Sequence, residues 1–430
     1  MKTLSLLAGI VFICLGLACR AQAFDIQEIT SPRGIKAWLV ESHQVPVISM
    51  SFSFAGGSSY DPPGKEGAGG LATTMMGEGA DDLPSAAFKS RLTRLAAGIS
   101  FWVDLDTLGG NLGCLSKNCD EVFALLKKAI SKPRFDADAF DRVKAQALQS
   151  RRQELLDQNS IAYRAWFARA YAGHSYGNSP NGSVASTESM TIDDLRAFHR
   201  QSVNRRTLKI VVAGDITPAQ LGRELDKVFA DLPAFTPPFP VANVVLAQAP
   251  AVQRIDYEGP QSVIYFGNPS VCGDSREAWA SFLLGDLMGG PFFSRLNDYI
   301  RIKAGLTYGI SMSDTSADKS CYQLGNMSTA NDTAEQALQL LQAELARMAK
   351  DGPTADELKR IKNYELGNYP LRFTNTASIT AELIGWNDTN VIQTRTDYIN
   401  AITVEDVKKV AAKLLKPENQ IIVMVGRPSK

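Results

Sequence analysis

The chain has 430 residues, of which 45% are hydrophobic and 21% charged, an ordinary globular composition and a length that favours roughly two to three domains. Lys and Arg together number 45, as do Asp and Glu, so the formal net charge is zero. This balance provides no basic excess to favour a nucleic-acid partner, and no long run of like charge favours a membrane surface.

The first 23 residues have the pattern of a secretory leader. Lys2 precedes an apolar run, and the segment ends in AQA, an A-x-A-like cleavage site. The run is short for a bilayer span. We therefore predict cleavage between Ala23 and Phe24 and an exported, soluble protein, periplasmic if its source is bacterial. A lipid-modified Cys19 is the alternative, although the GLA before it is a poor lead-in.

Strand and helix patterns follow the leader. The alternation in VPVISMSFSF predicts a strand, and His43 lies in the hairpin turn predicted just before it. The segment EGAGGLATTMMGEGA, residues 66–80, predicts a helix whose apolar face is formed by Leu71, Met75 and Met76.

The longer segment FAGGSSYDPPGKEGAGGLATTMMGEGA, residues 54–80, resembles the zinc-site region of the pitrilysin or insulinase-type zinc peptidases. The similarity is greatest to their mitochondrial-processing-peptidase-like branch. Members of this family carry H-x-x-E-H on a helix, where two His bind zinc and the Glu polarises the attacking water. Aligned without gaps, these three positions are occupied here by Gly70, Thr73 and Thr74.

Four Cys remain after removal of the leader, and an even number in an oxidising compartment favours disulfides. Cys114 ends a predicted strand and Cys119 opens a predicted helix, so the two can meet across the turn. By elimination, Cys272 would pair with Cys321. The alternative is four unpaired cysteines that serve as small core residues. A metal site is disfavoured because no His lies near either pair.

The sequence offers no replacement for the missing zinc ligands. The family's remote Glu ligand falls near Ser150 and Arg151, and Glu154 lies about one turn beyond them. The whole chain has three His, no two of which are spaced i, i+4: His43, His174 and His199. The resemblance therefore implies a metallopeptidase scaffold that binds no cofactor itself, with zinc expected in a partner subunit.

An internal repeat divides the chain. The segment that begins at Met190 aligns without a gap with the segment that begins at Ile402, and each predicts a capped helix followed by an apolar strand. The matching positions include Thr191 with Thr403, Asp194 with Asp406, and Gly214 with Gly426. The pattern predicts two similar halves.

A Pro- and Ala-rich segment separates the halves and predicts a linker at residues 234–252. We therefore predict a peptidase-like domain without zinc ligands at 24–233 and a second peptidase-like domain at 253–430. Runs of strands followed by pairs of helices predict an α+β fold in which each domain packs a mainly antiparallel sheet against helices. The family resemblance implies that the two domains face each other across a chamber.

The second half carries LMGGPFFSRLNDYIRIKAGLTYGISMS, residues 287–313, which resembles the family's C-terminal-half signature. In the family, an Arg and a Tyr of this signature belong to the substrate-binding surface, and they fall on Arg301 and Tyr308. Arg offers a planar fork to a carboxylate or carbonyl, and Tyr adds a hydroxyl on a rigid apolar body. A backbone bend at Gly305 would bring the two together. The alternative is a surface Arg and a Tyr at the edge of the core.

These features resemble the subunit type that lacks H-x-x-E-H and keeps the Arg/Tyr pair. The resemblance implies a substrate-binding subunit of a heterodimeric zinc metallopeptidase that degrades or processes peptides. Its partner would be a homologous H-x-x-E-H subunit, and this chain would be inactive alone. The alternative is a non-proteolytic structural or peptide-binding protein on the same scaffold. An autonomous enzyme of another kind is not supported, because the sequence has neither G-x-S-x-G nor a P-loop.

Overall fold

A computed structural model describes residues 25–235, 241–247 and 251–427. The predicted leader and parts of the predicted linker lie outside these described residues. Two mainly antiparallel sheets, one in each half of the chain, are packed against helices. The predicted α+β class is confirmed.

The described residues form thirteen strands. They are β1 (Gln27–Thr30), β2 (Lys36–Glu41), β3 (Val47–Ala55), β4 (Gly79–Ala80), β5 (Leu83–Pro84), β6 (Gly98–Val103), β7 (Thr107–Leu115), β8 (Lys209–Gly214), β9 (Gln253–Ile255), β10 (Gln261–Pro269), β11 (Ile310–Ser316), β12 (Cys321–Ala330) and β13 (Ile421–Val425).

The same described residues form fourteen α-helices. They are α1 (Ala68–Met76), α2 (Ser85–Arg94), α3 (Cys119–Ser131), α4 (Ala137–Glu154), α5 (Gln158–Ala170), α6 (Val184–Ser189), α7 (Ile192–Ser202), α8 (Pro218–Phe229), α9 (Arg276–Gly289), α10 (Ala334–Asp351), α11 (Ala355–Asn368), α12 (Thr376–Leu383), α13 (Thr389–Ala401) and α14 (Val404–Leu414).

The two large sheets share one strand order. The first runs β1-β2-β8-β3-β7-β6 and the second β9-β13-β10-β12-β11, with β4 and β5 as a separate ribbon. In each large sheet one pair is parallel, β2 with β8 and β9 with β13, and the others are antiparallel. Without β1, the first sheet therefore has the order and strand directions of the second.

The helices before β8 and β13 begin in the same way. Thr191 and Asp194 form a capping box at the start of α7, and Thr403 and Asp406 form one at the start of α14. Reciprocal capping of this kind satisfies backbone N–H groups that the helix leaves open. The predicted positions of these helices and strands are confirmed, while duplication of the two halves stays a prediction.

Each sheet is covered on one face by helices of its own half and on the other face by a helix from the other half. Helix α5 packs on β10 and β13, and α12 packs on β3 and β8. Trp166 of α5 donates from Nε1 to the Ile421 carbonyl at 3.0 Å, and Ser51 of β3 donates to the Thr380 hydroxyl of α12 at 3.0 Å. The halves are therefore interlocked, and the domain boundaries stay a proposal.

Two disulfides join neighbouring elements. Cys114 at the end of β7 is bonded to Cys119 at the start of α3, and Cys272 after β10 is bonded to Cys321 at the start of β12. The first spans a sequence separation of 5 residues and the second of 49.

The hairpin turn predicted at His43 is wrong. Strands β2 and β3 do not pair, because β8 lies between them and hydrogen-bonds to both. The segment that contains His43 crosses the end of β8 instead, and the ring bonds Asp215 through Nδ1 at 2.6 Å and Glu41 through Nε2 at 2.9 Å. Strand β8, which comes from a distant part of the sequence, therefore separates β2 and β3, which follow each other in the chain.

Candidate functional site

Helix α1 is the element on which the family resemblance locates the missing zinc ligands. It packs against α4, α7 and β6. Leu71, Met75 and Met76 are buried in the core on the helix side of the first sheet, so the predicted apolar face is confirmed.

The three predicted positions on α1 hold side chains with no ligand group available to a metal. The Thr73 hydroxyl donates to the carbonyls of Gly69 and Gly70, each at 3.0 Å. The Thr74 hydroxyl donates to the Gly70 carbonyl at 2.9 Å. A Cβ atom at Gly70 would have no neighbour within 4 Å, so the position borders open space. Back-bonding to the helix satisfies both hydroxyls.

The third ligand position, on α4, also fails to fit zinc. Arg151 forms an ion pair with Glu154 and donates from Nε to the Asn181 carbonyl at 2.9 Å. Ser150 and Arg151 therefore occupy the region where the family has a carboxylate, and the nearby Glu154 is paired with Arg151. In the part of the chain that the structure describes, no group of three or more His, Cys, Asp or Glu is arranged to hold a metal ion.

The other two His make local hydrogen bonds. The Nε2 atom of His199 lies within hydrogen-bond distance of the Ile130 carbonyl oxygen, at 2.7 Å. Burial lowers the pKa of this imidazole. His174 accepts from the Tyr176 N–H at 3.1 Å and lies 3.1 Å from the Ala242 carbonyl. These contacts give both rings structural roles.

A half-buried carboxylate at the start of α1 was not singled out from the sequence. Asp61 accepts from the backbone N–H groups of Gly67 at 2.8 Å and Gly69 at 3.0 Å. Burial raises the pKa of Asp61 to about 7, although the two N–H donors favour its charged form. The acceptor lies six residues before Gly67 in sequence, outside the usual capping spacing. Only the fold of the intervening loop brings it to the helix.

The second predicted site begins in a π-helical segment, Asn297–Lys303, which carries Arg301. Gly305 has a φ of +69°, a left-handed conformation that Gly adopts without strain. Thr307 then anchors the chain, because its hydroxyl bonds the carbonyls of Gly309 at 2.8 Å and Ser328 at 2.7 Å. Tyr308, held between these anchors, is 88% exposed.

Arg301 and Tyr308 line the same cavity, which has a volume of about 640 Å³. The guanidinium carbon of Arg301 lies 4.7 Å from the ring centroid of Phe292, another lining residue. Neither the side chain of Arg301 nor that of Tyr308 forms a hydrogen bond or ion pair with any residue that the structure describes. The cavity therefore presents unpaired donor groups of a fixed cation and a phenol.

The framework around this cavity is tightly bonded. Arg295 donates to both carboxylate oxygens of Glu357, at 2.9 and 2.7 Å, and is buried. Asn297 donates from Nδ2 to the Ile310 carbonyl at 2.9 Å. These bonds tie the π-helical segment and the residue before it to α11 and β11, so the half-buried Arg301 and the exposed Tyr308 project from a well-bonded base.

A larger cavity, of about 820 Å³, lies in the first half and was not predicted. Its walls include Glu66, which precedes α1, and Glu154, Leu155 and Tyr163 from the α4–α5 region, with Tyr265 from the second sheet. These residues are widely separated in sequence, and α5 leaves its own half to pack on the second sheet. No local sequence pattern signals a cavity built in this way.

Comparison with known proteins agrees with this geometry. Residues 189–365 match a family model described as the Peptidase M16 inactive domain, and this range contains Arg301 and Tyr308. Among curated relatives, "Non-peptidase homolog YmxG" of Helicobacter pylori is 25% identical, over 83% of this chain and 82% of the relative. "Zinc protease PqqE" of the same species is 20% identical, over 54% of this chain and 53% of the relative.

Solved structures extend the similarity to almost the whole chain. The peptidase M16 inactive domain from Pseudomonas fluorescens has a TM-score of 0.88 and 25% identity, and the match covers 94% of this chain and 99% of that one. A protease from Helicobacter pylori has a TM-score of 0.85 at 17% identity, with 93% and 99% covered, a likeness of fold. The resemblance to the M16 peptidases that the two sequence motifs indicated is therefore confirmed, with the M16 inactive domain matched at residues 189–365.

Proposed function

We propose that this chain is the zinc-free, substrate-binding subunit of a heterodimeric zinc metallopeptidase that degrades or processes peptides. The observation that carries the proposal is the cavity of about 640 Å³ in which Arg301 and Tyr308 offer unpaired groups. A fixed cation that has no hydrogen-bond or acidic partner within the described chain has the chemistry to bind a peptide carboxylate or carbonyl.

The chain contributes binding and orientation to this activity, but no water activation. The H-x-x-E-H route needs a metal and a Glu base, and α1 has Gly70, Thr73 and Thr74 at those positions. The zinc would reside in a homologous partner. Helicobacter pylori has relatives of both types, one named a non-peptidase homolog and one a zinc protease, which supports such a pairing.

We further propose an exported protein with a leader at 1–23, a first peptidase-like domain at 24–233, and a second at 253–430, facing the first across a chamber. The leader pattern and the two disulfides support an oxidising compartment such as the periplasm. No described helix is both long and apolar enough to cross a membrane.

A mixing experiment tests the proposed function. The purified full chain is assayed with fluorescein-labelled β-casein, an unfolded protein, alone and with an H-x-x-E-H homologue from the same genome. Hydrolysis is expected only in the mixture. Arg301→Ala should lower kcat/KM of the mixture about 10- to 100-fold, the range for loss of a charged hydrogen bond, and Tyr308→Phe should lower it less.

Arg360→Ala is the matched control, because Arg360 also lies over an aromatic ring, that of Phe293 at 5.7 Å, but does not line the cavity. It should leave the rate of the mixture unchanged. Equal rates with wild-type and Arg301→Ala chains would contradict the proposal, as would metal-independent hydrolysis by this chain alone.

The second candidate function is peptide binding without proteolysis. The relative with 25% identity is named a non-peptidase homolog, which favours this function. In that case the chain would bind labelled β-casein through Arg301, while its addition to the H-x-x-E-H homologue would leave hydrolysis at the rate of the homologue alone. The same mixing experiment therefore separates the two candidates.

A further inference from the structure

Arg301 differs from two other arginines of the second half in having no carboxylate partner, although Arg347 also lies over a ring, that of Tyr299 at 4.0 Å. Arg295 has a bidentate carboxylate partner in Glu357, and Arg347 bonds Glu344 at 2.5 Å. Arg301 has a ring under its guanidinium and no acidic partner among the described residues.

The acidic residue nearest to Arg301 in sequence is engaged elsewhere. Asp298 accepts from Lys303 at 2.7 Å, within the same π-helical segment. Lys303 also lies over Tyr299, 4.1 Å from its centroid. The segment therefore neutralises its own carboxylate with Lys303 and leaves the charge of Arg301 uncompensated.

A ring and a carboxylate hold a guanidinium in different ways. A carboxylate partner takes up two N–H donors and cancels the charge, whereas a ring attracts the cation through its face and leaves the five N–H donors free. Stacking also limits the rotamers of a long side chain, which otherwise loses conformational entropy when a ligand binds. A ring partner thus orders Arg301 at no cost to its binding groups.

Phe292 lies in the turn between α9 and the π-helical segment, and its position there lets its ring contact Arg301. Its side chain is 59% exposed, which is unusual for Phe in a well-packed turn. The turn is closed by the Ser294 N–H, which donates to the Pro291 carbonyl at 2.9 Å. The helix before it packs closely on β11, because a Cβ atom at Gly289, the last residue of α9, would overlap the Met312 backbone. The backbone fixes the ring at the rim of the cavity, where it is one of the lining residues.

We propose that Phe292 is a positioning residue that holds the Arg301 guanidinium toward the cavity with its N–H groups free. This inference rests on the proposed function, in which Arg301 contacts the bound peptide. Its neighbour Phe293 is a matched control, since it is 37% exposed and lies under Arg360, which does not line the cavity.

Side-chain dynamics test the positioning role. In the full chain, ¹⁵N relaxation at the arginine Nε atoms should show a lower order parameter for Arg301 in Phe292→Leu and a retained one in Phe292→Trp. Phe293→Leu should leave Arg301 unchanged and mobilise Arg360 instead. An Arg301 order parameter that is the same in wild type and Phe292→Leu would overturn the positioning role.

Binding of fluorescein-labelled β-casein, followed by anisotropy, tests the link to function. Phe292→Leu should weaken binding about two- to five-fold, the range for an exposed cation–π contact, and Phe292→Trp should restore it. In an Arg301→Ala background, Phe292→Leu should have no further effect, and a further loss there would contradict the positioning role. Unchanged binding by Arg301→Ala alone would overturn the proposed function, while the relaxation result still decides the role of Phe292.

Discussion

Gly70, Thr73 and Thr74 stand where the family has its metal ligands, and they leave no uncompensated charge beside the core on the helix side of the first sheet. A His or Glu side chain without zinc would place a polar group there with an unsatisfied coordination direction, which is costly when buried. Thr73 is buried, and both threonine hydroxyls bond the helix backbone. The hydroxyls of both threonines therefore bond within α1 itself, and the helix contributes its apolar face to the core.

Glu78, two residues beyond the last residue of α1, carries a testable pH dependence. Burial raises its pKa, but bonds from Lys89 at 2.7 Å, Ser85 at 2.6 Å and Arg142 at 2.6 Å outweigh that effect and lower the pKa to about 2. A carboxylate whose pKa is lower in the folded state stabilises the fold above its unfolded pKa of 4.5, and this contribution is lost as the pH falls toward 2.

Glu78→Gln should therefore lower the free energy of unfolding at pH 7 and make it less dependent on pH below 4.5 than in the wild type. Urea unfolding over a series of pH values measures this. Glu188→Gln is the control, because Glu188 is exposed and its cation, Arg152, is 3.4 Å away. Parallel pH profiles for wild type and Glu78→Gln would contradict the assignment.

Among the elements, α5 and α12 have the largest structural consequence, since each covers the sheet of the other half. Helix α12 contributes Ile379 and Leu383 to a core that also contains Val211 and Ala213 of β8. Burial of apolar surface between halves links their stabilities. We therefore expect the halves to unfold together.

Leu383→Ala tests this coupling. Leu383 is fully buried, so its truncation should cost about 2–5 kcal/mol and shift a single cooperative transition, followed both by circular dichroism and by tryptophan fluorescence. Leu371→Ala is the matched control, because Leu371 is largely exposed and should change stability by less than about 0.5 kcal/mol. Two separated transitions in Leu383→Ala would show that the halves are energetically independent.

At the scale of the whole molecule, the sequence predicted the features that depend on nearby residues and missed those that depend on contacts between distant parts of the chain. The apolar face of α1 and the capped starts of α7 and α14 follow from spacing within a few residues, and all were predicted. The approach of Arg301 to Tyr308 depends on a bend only seven residues long, so the sequence indicated it as well. Both residues line the predicted binding surface as one cavity.

The remaining features depend on contacts between distant parts of the chain. The bond from Trp166 to Ile421 spans 255 residues, and the bond from Ser51 to Thr380 spans 329. No sequence window contains both partners, so neither the exchanged helices nor the larger cavity was predictable. The wrong hairpin at His43 has the same cause, because β8 enters between β2 and β3 from far along the chain.

In the proposed function, one active site is divided between two chains, with zinc on the partner and Arg301 and Tyr308 on this chain. The most direct test is the rate of β-casein hydrolysis by the mixture after this chain alone has been stripped with EDTA and desalted, while the partner keeps its metal. We predict the same rate as with the untreated chain. A rate that falls, and that returns only when zinc is restored to this chain before mixing, would contradict the account.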